Sequence, residues 1–501
     1  MRGHDPVKFG EFNGLWKRGD AESCPADHFS DCNNISYIQS GFKSRDGIES
    51  YLPFPNVKRI YTYNTPSQQS LLVLDTNGNI YDSGSPTPTT AILSIATMTD
   101  FAFQAVAGRA YLSPHNGTTG LENEFVYVYM GDGSYARKAA GIAPAGGTFT
   151  AANSGTAGKV EPGVHIFGIV FETDTGFLTK IGAVKSVITA PGSKKVDLTN
   201  INTGATYVKA RHIVATRAID ITLYTGDVEG YQFFFVPGGK ISDNSTTSLT
   251  VDFYDSDLLE DASYTLDLLE TIPAGVNLGT YHERMILLTE FGEETGNINT
   301  TTISNIATVR VSFPGEPEAF SSVDGLMVAP QDSTALTNAQ EYRDVLYLFK
   351  LTKTYAYNDN GDVPSTWPLT IIDTATGSPV HGVASVLDTG AGVNIDYLVL
   401  ADYSGIILFN GGYIRPELSF KIHDYWFLID RSTFRDIQLV NDPVGQIIYA
   451  VLPTGIILIG DYANGLTKEE IRWGIWTFDC LVTGVTLIHV NELIIGSSQA
   501  L

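Results

Sequence analysis

Tyr397-Leu398-Val399-Leu400 runs to a turn at Ser404-Gly405 and returns as Ile406-Ile407-Leu408-Phe409. Two short apolar runs joined at a glycine, which tolerates the positive φ of a tight turn, read as a β-hairpin. The same grammar recurs outward from it. Leu71-Leu72-Val73-Leu74 turns through Asn77-Gly78 into Ile80-Tyr81, Ile447-Ile448-Tyr449-Ala450-Val451 faces Gly455-Ile456-Ile457-Leu458, and Val485-Thr486-Leu487-Ile488 faces Leu493-Ile494-Ile495. From Val345 to Tyr397, Ile447 and Val485 the steps are 52, 50 and 38 residues. Such steps bracket the blade period of a β-propeller, whose small antiparallel sheets bury their faces only by stacking on one another. Further blades are expected near residues 57–84, 104–138 and 280–320, which makes about six.

Long stretches with the i, i+3, i+4 apolar pattern of helices are scarce, so the fold class is all-β. Between the second and third blades the Gly/Ala/Thr/Ser-rich residues 145–158 read as a linker. About seven short strands follow, from Val164-His165-Ile166-Phe167 to Ser248-Leu249-Thr250-Val251. That density suits a β-sandwich of the immunoglobulin or fibronectin type III kind, inserted into the propeller and lacking a Cys pair between its sheets. The expected organisation is an N-terminal segment at 1–56 closing on the propeller, an opening stretch of propeller at 57–145, the inserted sandwich at 160–262, and the remainder of the propeller at 275–501.

Composition narrows the function classes. The 501 residues include 43% hydrophobic and only 17% charged side chains, with 25 Tyr, 25 Phe and 5 Trp, so the chain is not disordered. A formal charge of −24 argues against a grip on nucleic acid by a basic face of the whole chain, and disfavours anionic membranes. Cys24, Cys32 and Cys480 are too few for a disulfide framework, which fits assembly in a reducing cytoplasm. Met-Arg-Gly-His-Asp-Pro-Val-Lys lacks the apolar core of a secretory signal, and no run approaches the roughly 18 apolar residues of a membrane span.

No motif reaches the standard of a site. Cys24, His28 and Cys32 are spaced four apart, but Pro25 argues against the helix that would align them and a fourth zinc ligand is missing. Asn358-Asp359-Asn360-Gly361-Asp362 opens like a calcium loop, yet Thr370 stands where the bidentate Glu is needed, so a hairpin turn is the better reading. His282-Glu283-Arg284 is a lone polar triplet without a deducible acid/base partner. Tyr425-Trp426-Phe427 and Trp473-Gly474-Ile475-Trp476 have the chemistry to stack on sugars but read as core or subunit contact, and Arg343, Arg431, Arg435 and Arg472 are dispersed among acids. G-x-S-x-G, H-E-x-x-H and P-loop patterns are absent. No catalytic, cofactor-binding or metal-ligating residue is nominated, no cofactor is expected, and the reading is of a protein that is not an enzyme.

Four segments, in order, resemble the tail nozzle proteins of short-tailed bacteriophages. They are Pro25-Ala26-Asp27-His28-Phe29-Ser30-Asp31-Cys32-Asn33-Asn34 with Gly41-Phe42-Lys43-Ser44-Arg45-Asp46-Gly47; Phe125-Val126-Tyr127-Val128-Tyr129-Met130-Gly131-Asp132-Gly133 with Arg137-Lys138-Ala139-Ala140-Gly141-Ile142-Ala143-Pro144; the inserted sandwich with Tyr207-Val208-Lys209-Ala210-Arg211 and Ser242-Asp243-Asn244-Ser245-Thr246-Thr247; and His282-Glu283-Arg284-Met285 with Val311-Ser312-Phe313-Pro314-Gly315-Glu316-Pro317.

The resemblance implies a structural virion protein, assembled in the host cytoplasm into a hexameric ring that extends the tail channel and gates genome retention and ejection. Its implied partners are further copies of itself, the tail adaptor or other portal-proximal proteins, tail fibres, and genomic DNA sliding through the lumen without specific binding. Acidic walls repel the phosphates of a passing duplex, so Asp and Glu are expected to line the lumen in excess. The alternative is a propeller tail protein that binds host glycans or a receptor; a propeller glycan hydrolase ranks third.

Overall fold

The computed structural model describes residues 13–18, 23–25, 27–38, 41–45, 47, 49–52, 54, 56–65, 69–117, 120–189, 192–226, 228, 230–289, 306–332, 334–380, 382–388, 395–412, 417–489 and 492–498. Antiparallel sheets follow one another along the chain as a β-propeller. Blade 1 has strands Val57–Asn64, Gln69–Asp75, Asn79–Asp82 and Leu93–Ser94; blade 2 has Asp100–Val106, Arg109–His115, Tyr127–Tyr129 and Arg137–Lys138. Blade 3 is built from Asn277–Tyr281, Arg284–Leu288, Thr308–Phe313 and Glu316–Phe320, with Leu326–Met327 also on its third strand. Leu336–Tyr342, Val345–Lys350, Thr354–Tyr357 and Leu369–Asp373 form blade 4; Ala384–Asp388, Ile395–Asp402 and Gly405–Phe409 form blade 5. Blade 6 is Gln438–Asp442, Ile447–Val451, Ile457–Asp461 and Arg472–Trp476, and a two-stranded sheet, Val482–Ile488 with Glu492–Ser497, takes a seventh position. No helix among the described residues is long and apolar enough to cross a membrane.

The sequence reading expects about six blades, and the seventh sheet corrects the count. Val345, Tyr397 and Ile447 lie in second strands, whereas Val485 lies in a first strand, so the short 38-residue step compares unlike positions. The first strands face inward, and polar side chains tie neighbour to neighbour. Asn277 Nδ2 donates to Asn338 Oδ1 at 3.1 Å between blades 3 and 4, Asn441 Nδ2 donates to Ser385 O at 2.8 Å between blades 5 and 6, and Val485 N donates to Gln438 Oε1 at 3.0 Å between blade 6 and the seventh sheet. The ring closes between the seventh sheet and blade 1, where Thr62 and Thr486 share a 2.7 Å hydroxyl bond and Thr483 Oγ1 donates to Val57 O at 2.7 Å.

Each inter-blade gap holds its own apolar cluster, from Leu72, Phe101 and Tyr129 between blades 1 and 2 to Val57, Ile60 and Ile488 at the closure. A fully buried Leu or Ile in such a gap contributes roughly 1.5–3 kcal/mol, so stacking rather than any single sheet supplies the stability. The N-terminal hairpin Ile35–Ile38 with Gly41–Ser44 docks on the outer strand of blade 6. There Leu15 N and Tyr37 Oη both donate to Trp473 O, at 2.8 and 2.5 Å, and Trp476 Nε1 donates to Ile35 O at 2.8 Å.

Between blades 2 and 3 seven strands make a two-sheet sandwich: Thr150–Val160, Gly163–Thr173, Gly182–Thr189, Lys194–Thr199, Val208–Ala215, Phe234–Ile241 and Ser248–Val251. Its first, fourth and seventh strands form one sheet, and the third, second, fifth and sixth the other. The layered architecture is that of the immunoglobulin class, but an immunoglobulin constant domain orders its strands ABED and CFG, so the connectivity is this domain's own. Residues 150–158, read as belonging to a linker, are in an edge strand. It pairs with Lys194–Thr199 through two bulges and buries few side chains apart from Ser154 and Val160, which is why its composition looks like a spacer.

Candidate functional site

A largely buried polar junction ties the sandwich to the propeller, beside the apolar contact of Phe177 with blades 2 and 3. Arg137, at the start of blade 2's outer strand, donates through Nε and Nη2 to Asp174 Oδ1 at 2.9 and 2.6 Å, and through Nη1 to Glu318 Oε2 at 3.3 Å. Asp174 sits in the turn after the sandwich's second strand, and Glu318 in the outer strand of blade 3. Glu318 is buried, and it also accepts from Ala140 N at 2.7 Å and Tyr111 Oη at 3.4 Å. Burial works against the Arg137 charge, but the two carboxylates outweigh it and raise its pKa. Nothing in the sequence marked this junction, because its three charges lie on three different sheets.

A cavity of about 610 Å³ lies against blades 1 to 5, lined mainly by their first strands and the turns beside them. Gln104, His115, Asn277, Asn338 and Gln340 give it a polar wall, with Glu341, Asp344 and Asp396 as its carboxylates. Asp75, Asp82, Asp373, Asp402, Asp442 and Asp461 each end a strand, and each accepts the backbone N–H two residues on, at 2.7–3.0 Å. These are Asx turns, so a share of the acidity is blade-turn chemistry.

The sequence candidates take up distinct places. Trp426 and Trp473 are buried, and their indole N–H groups donate to Asp402 O and Leu418 O at 2.9 and 3.0 Å, so both are core pillars. Phe427 alone of these aromatics is strongly exposed, at 57%. Arg472 is buried against Asp461 at 2.8 Å, Arg435 Nη1 donates to Gly117 O at 2.6 Å, and Arg431 lies over the Tyr403 ring. Arg472 and Arg435 are thus engaged within the fold, whereas Arg431 and Arg343 are exposed. His28 Nδ1 lies 2.8 Å from Asp27 Oδ1, and Cys24 Sγ contacts His28 O and Pro25 O. Cys32 stays apart, its thiol pushed up to about 11 by burial.

Asn358 to Asp362 belong to the long connection between the third and fourth strands of blade 4, not to a tight hairpin, and Gly361 N and Asp362 N bond to Asp359 Oδ1 and Asn360 Oδ1. His282 and Glu283 form the two-residue turn between the first strands of blade 3, at φ 45° and 61°. Arg343 and Asp344 form the matching turn of blade 4, at φ 51° and 61°. These two turns stand side by side. Among the described residues the His/Cys/Asp/Glu group whose donor atoms come within 4.8 Å of one another is His282, Glu341 and Asp344. The sequence offered the residues one at a time, and only the blade-to-blade register brings them together.

No family model matches the chain, and no curated protein matches it. Among solved structures it is similar to apo AztD from Citrobacter koseri, at 11% identity and TM-score 0.27 over 67% of this chain and 90% of that one. It is also similar to BBS1N in complex with ARL6DN, at 8% identity and TM-score 0.26 over 89% and 91% of the two chains. Hsv2 from Kluyvelomyces marxianus follows at 8% identity and TM-score 0.27, over 85% of this chain and 98% of that one. The propeller assignment rests on the sheets and inter-blade bonds above, and these likenesses add nothing about function.

Proposed function

We propose that the protein is a structural, ring-forming subunit of a short-tailed phage tail nozzle, in which the propeller builds the wall of the channel and the sandwich makes outward contacts. One observation supports the reading. Three of the segments that carry the resemblance meet at the Arg137 junction: Arg137 and Ala140 follow the Met130-Gly131-Asp132-Gly133 turn, Asp174 belongs to the sandwich, and Glu318 directly follows Val311-Ser312-Phe313-Pro314-Gly315-Glu316-Pro317. Residues far apart in the chain thus serve one mechanical purpose, fixing a side domain to a propeller. A subunit that must carry load between neighbours needs such a joint, whereas a free-swinging binding module does not.

In the ring, DNA passes without being gripped, which suits a strongly acidic chain. Light scattering on the purified protein, alone and with its tail adaptor, tests the proposal. A mass several times 54.3 kDa, growing further on addition of the adaptor, is expected. A monomer that ignores the adaptor and binds host glycans instead overturns it in favour of a glycan-binding propeller.

A further inference from the structure

Two stretches that carried nothing separately, His282-Glu283-Arg284 and Asn358-Asp359-Asn360-Gly361-Asp362, meet beside the Arg343-Asp344 turn of blade 4. A ring nitrogen of His282 and one carboxylate oxygen each of Glu341 and Asp344 lie within 4.8 Å of one another, and Asp359 Oδ2 lies 3.5 Å from His282 Nδ1. Ligand atoms around a divalent ion at about 2.1 Å sit about 3–4 Å apart, so modest side-chain rotations close this set. The frame is fixed by Tyr281, whose buried hydroxyl donates to Asp344 O at 3.2 Å and accepts from Asp359 N at 2.9 Å. The His282 ring stacks on Tyr281 at 4.1 Å between centroids, which restricts its rotation.

The charges around the cluster leave it unneutralised. Glu341 and Asp344 have no ion pair among the described residues, although Arg343 stands in the blade 4 turn and Arg284 directly follows the blade 3 turn. Arg284 instead donates to Ser312 O at 2.9 Å and lies over the Trp367 ring. Arg343 donates to Asn410 O and Asp396 O at 3.4 and 3.3 Å and lies over Tyr342. The imidazole thus stands between the Glu341 and Asp344 carboxylates and that of Asp359, while the hydrogen bonds of Arg284 and Arg343 go to backbone carbonyls.

We propose that His282, Glu341 and Asp344 bind one divalent transition-type cation, with Asp359 orienting the imidazole, and that the ion staples blade 3 to blade 4. An imidazole with two carboxylates suits zinc or manganese better than calcium or magnesium, which prefer all-oxygen sets. The tautomer that donates Nδ1–H to Asp359 offers Nε2 as the ligand, the familiar carboxylate–histidine–metal arrangement. Three protein ligands leave room for water in the fourth position. The inference does not depend on the nozzle reading, and either stands if the other fails.

Calorimetric titration of the full chain with ZnCl2 and with MnCl2, after dialysis against a chelator and alkylation of the three cysteines, is the test. One ion per chain is expected, with a rise in unfolding temperature at saturation. His282→Asn, chosen because Asn tolerates the φ of 45° there, and Glu341→Gln should each weaken binding at least ten-fold, and Asp359→Asn about ten-fold. Circular dichroism shows whether each variant keeps the β spectrum of the parent. Absence of saturable binding, affinity unchanged in both His282→Asn and Glu341→Gln, or equal affinity for Ca2+ at the same residues overturns the assignment.

Discussion

Arg59 and Asp100 meet across the gap between blades 1 and 2, Nε donating to Oδ2 at 3.0 Å, while Nη1 of the same guanidinium donates to Thr483 O of the seventh sheet at 2.7 Å. One side chain thus joins three consecutive sheets at the point where the ring closes. Both partners are largely buried, at 11% side-chain exposure each. Removing one member of such a pair leaves the other charge uncompensated. Arg59→Met is therefore expected to cost about 3–5 kcal/mol in urea unfolding, and a loss below 1 kcal/mol would show that closure does not depend on it.

The same pair sets an acid limit. Burial alone would raise the Asp100 carboxyl, but the Arg59 charge beside it holds it below the ordinary range. A depressed folded-state value means that the stabilisation is complete above the unfolded value of about 4 and is lost as pH falls through the folded value. Stability should be level above about pH 5 and decline below 4. Asp100→Asn should lower it at neutral pH and shrink its dependence on acid; an unchanged slope in denaturation curves from pH 3 to 7 would count against this.

Arg137→Met tests the joint between sandwich and propeller. Glu318 keeps its bonds from Ala140 N and Tyr111 Oη, so the cost should be moderate, about 2–3 kcal/mol for lost charge-assisted bonds. The more telling readout is local. Limited proteolysis should cut the connection at 141–149 faster in the variant, and identical cleavage rates would remove the junction from the account.

Lys421 fixes the N-terminal segment from inside. Its Nζ donates to Glu469 O, Ile471 O and Asn13 O at 2.6, 3.0 and 3.3 Å, and burial lowers its pKa to about 8. Lys421→Met leaves those carbonyls unsatisfied and should cost about 1–3 kcal/mol. A lowered folded value for a base has the opposite sign to Asp100: the cost of burying the ammonium is relieved as pH rises from about 8 towards 10.4. Stability lost in Lys421→Met should thus come with loss of that alkaline rise; a parent protein whose stability is flat from pH 8 to 10 contradicts it.

Gly78 sits at φ 80°, and a Cβ there would lie 2.0 Å from Ile95 O. Gly78→Ala should destabilise by at least about 2 kcal/mol, since backbone conformation and space oppose it together. Thermal unfolding within 1 °C of the parent would refute that.

Asn77-Gly78 was legible because a short turn ending in a positive-φ glycine states its own requirement in the sequence. The propeller was legible for the same reason: each hairpin is local. The seventh sheet was harder to place, because Val485 lies in a first strand and Tyr397 in a second, and the strands look alike before pairing is known. Thr150–Val160 was hidden by being an edge strand, with few side chains to bury. Arg59 with Asp100, Arg137 with Glu318, and His282 with Glu341 are separated by 41, 181 and 59 positions, so none leaves a spacing to read. Trp426 and Trp473, read as core rather than as sugar-stacking residues, are buried in one cluster that draws on residues from Leu15 to Ile475.

The measurement closest to the central claim is the rotational symmetry of the purified protein in class-averaged negative-stain images, with and without the tail adaptor. Closed rings, sixfold and open along the axis, with the sandwich as a protrusion on each subunit, are the predicted result. Isolated propellers that stay monomeric at every concentration and in the presence of the adaptor would contradict it.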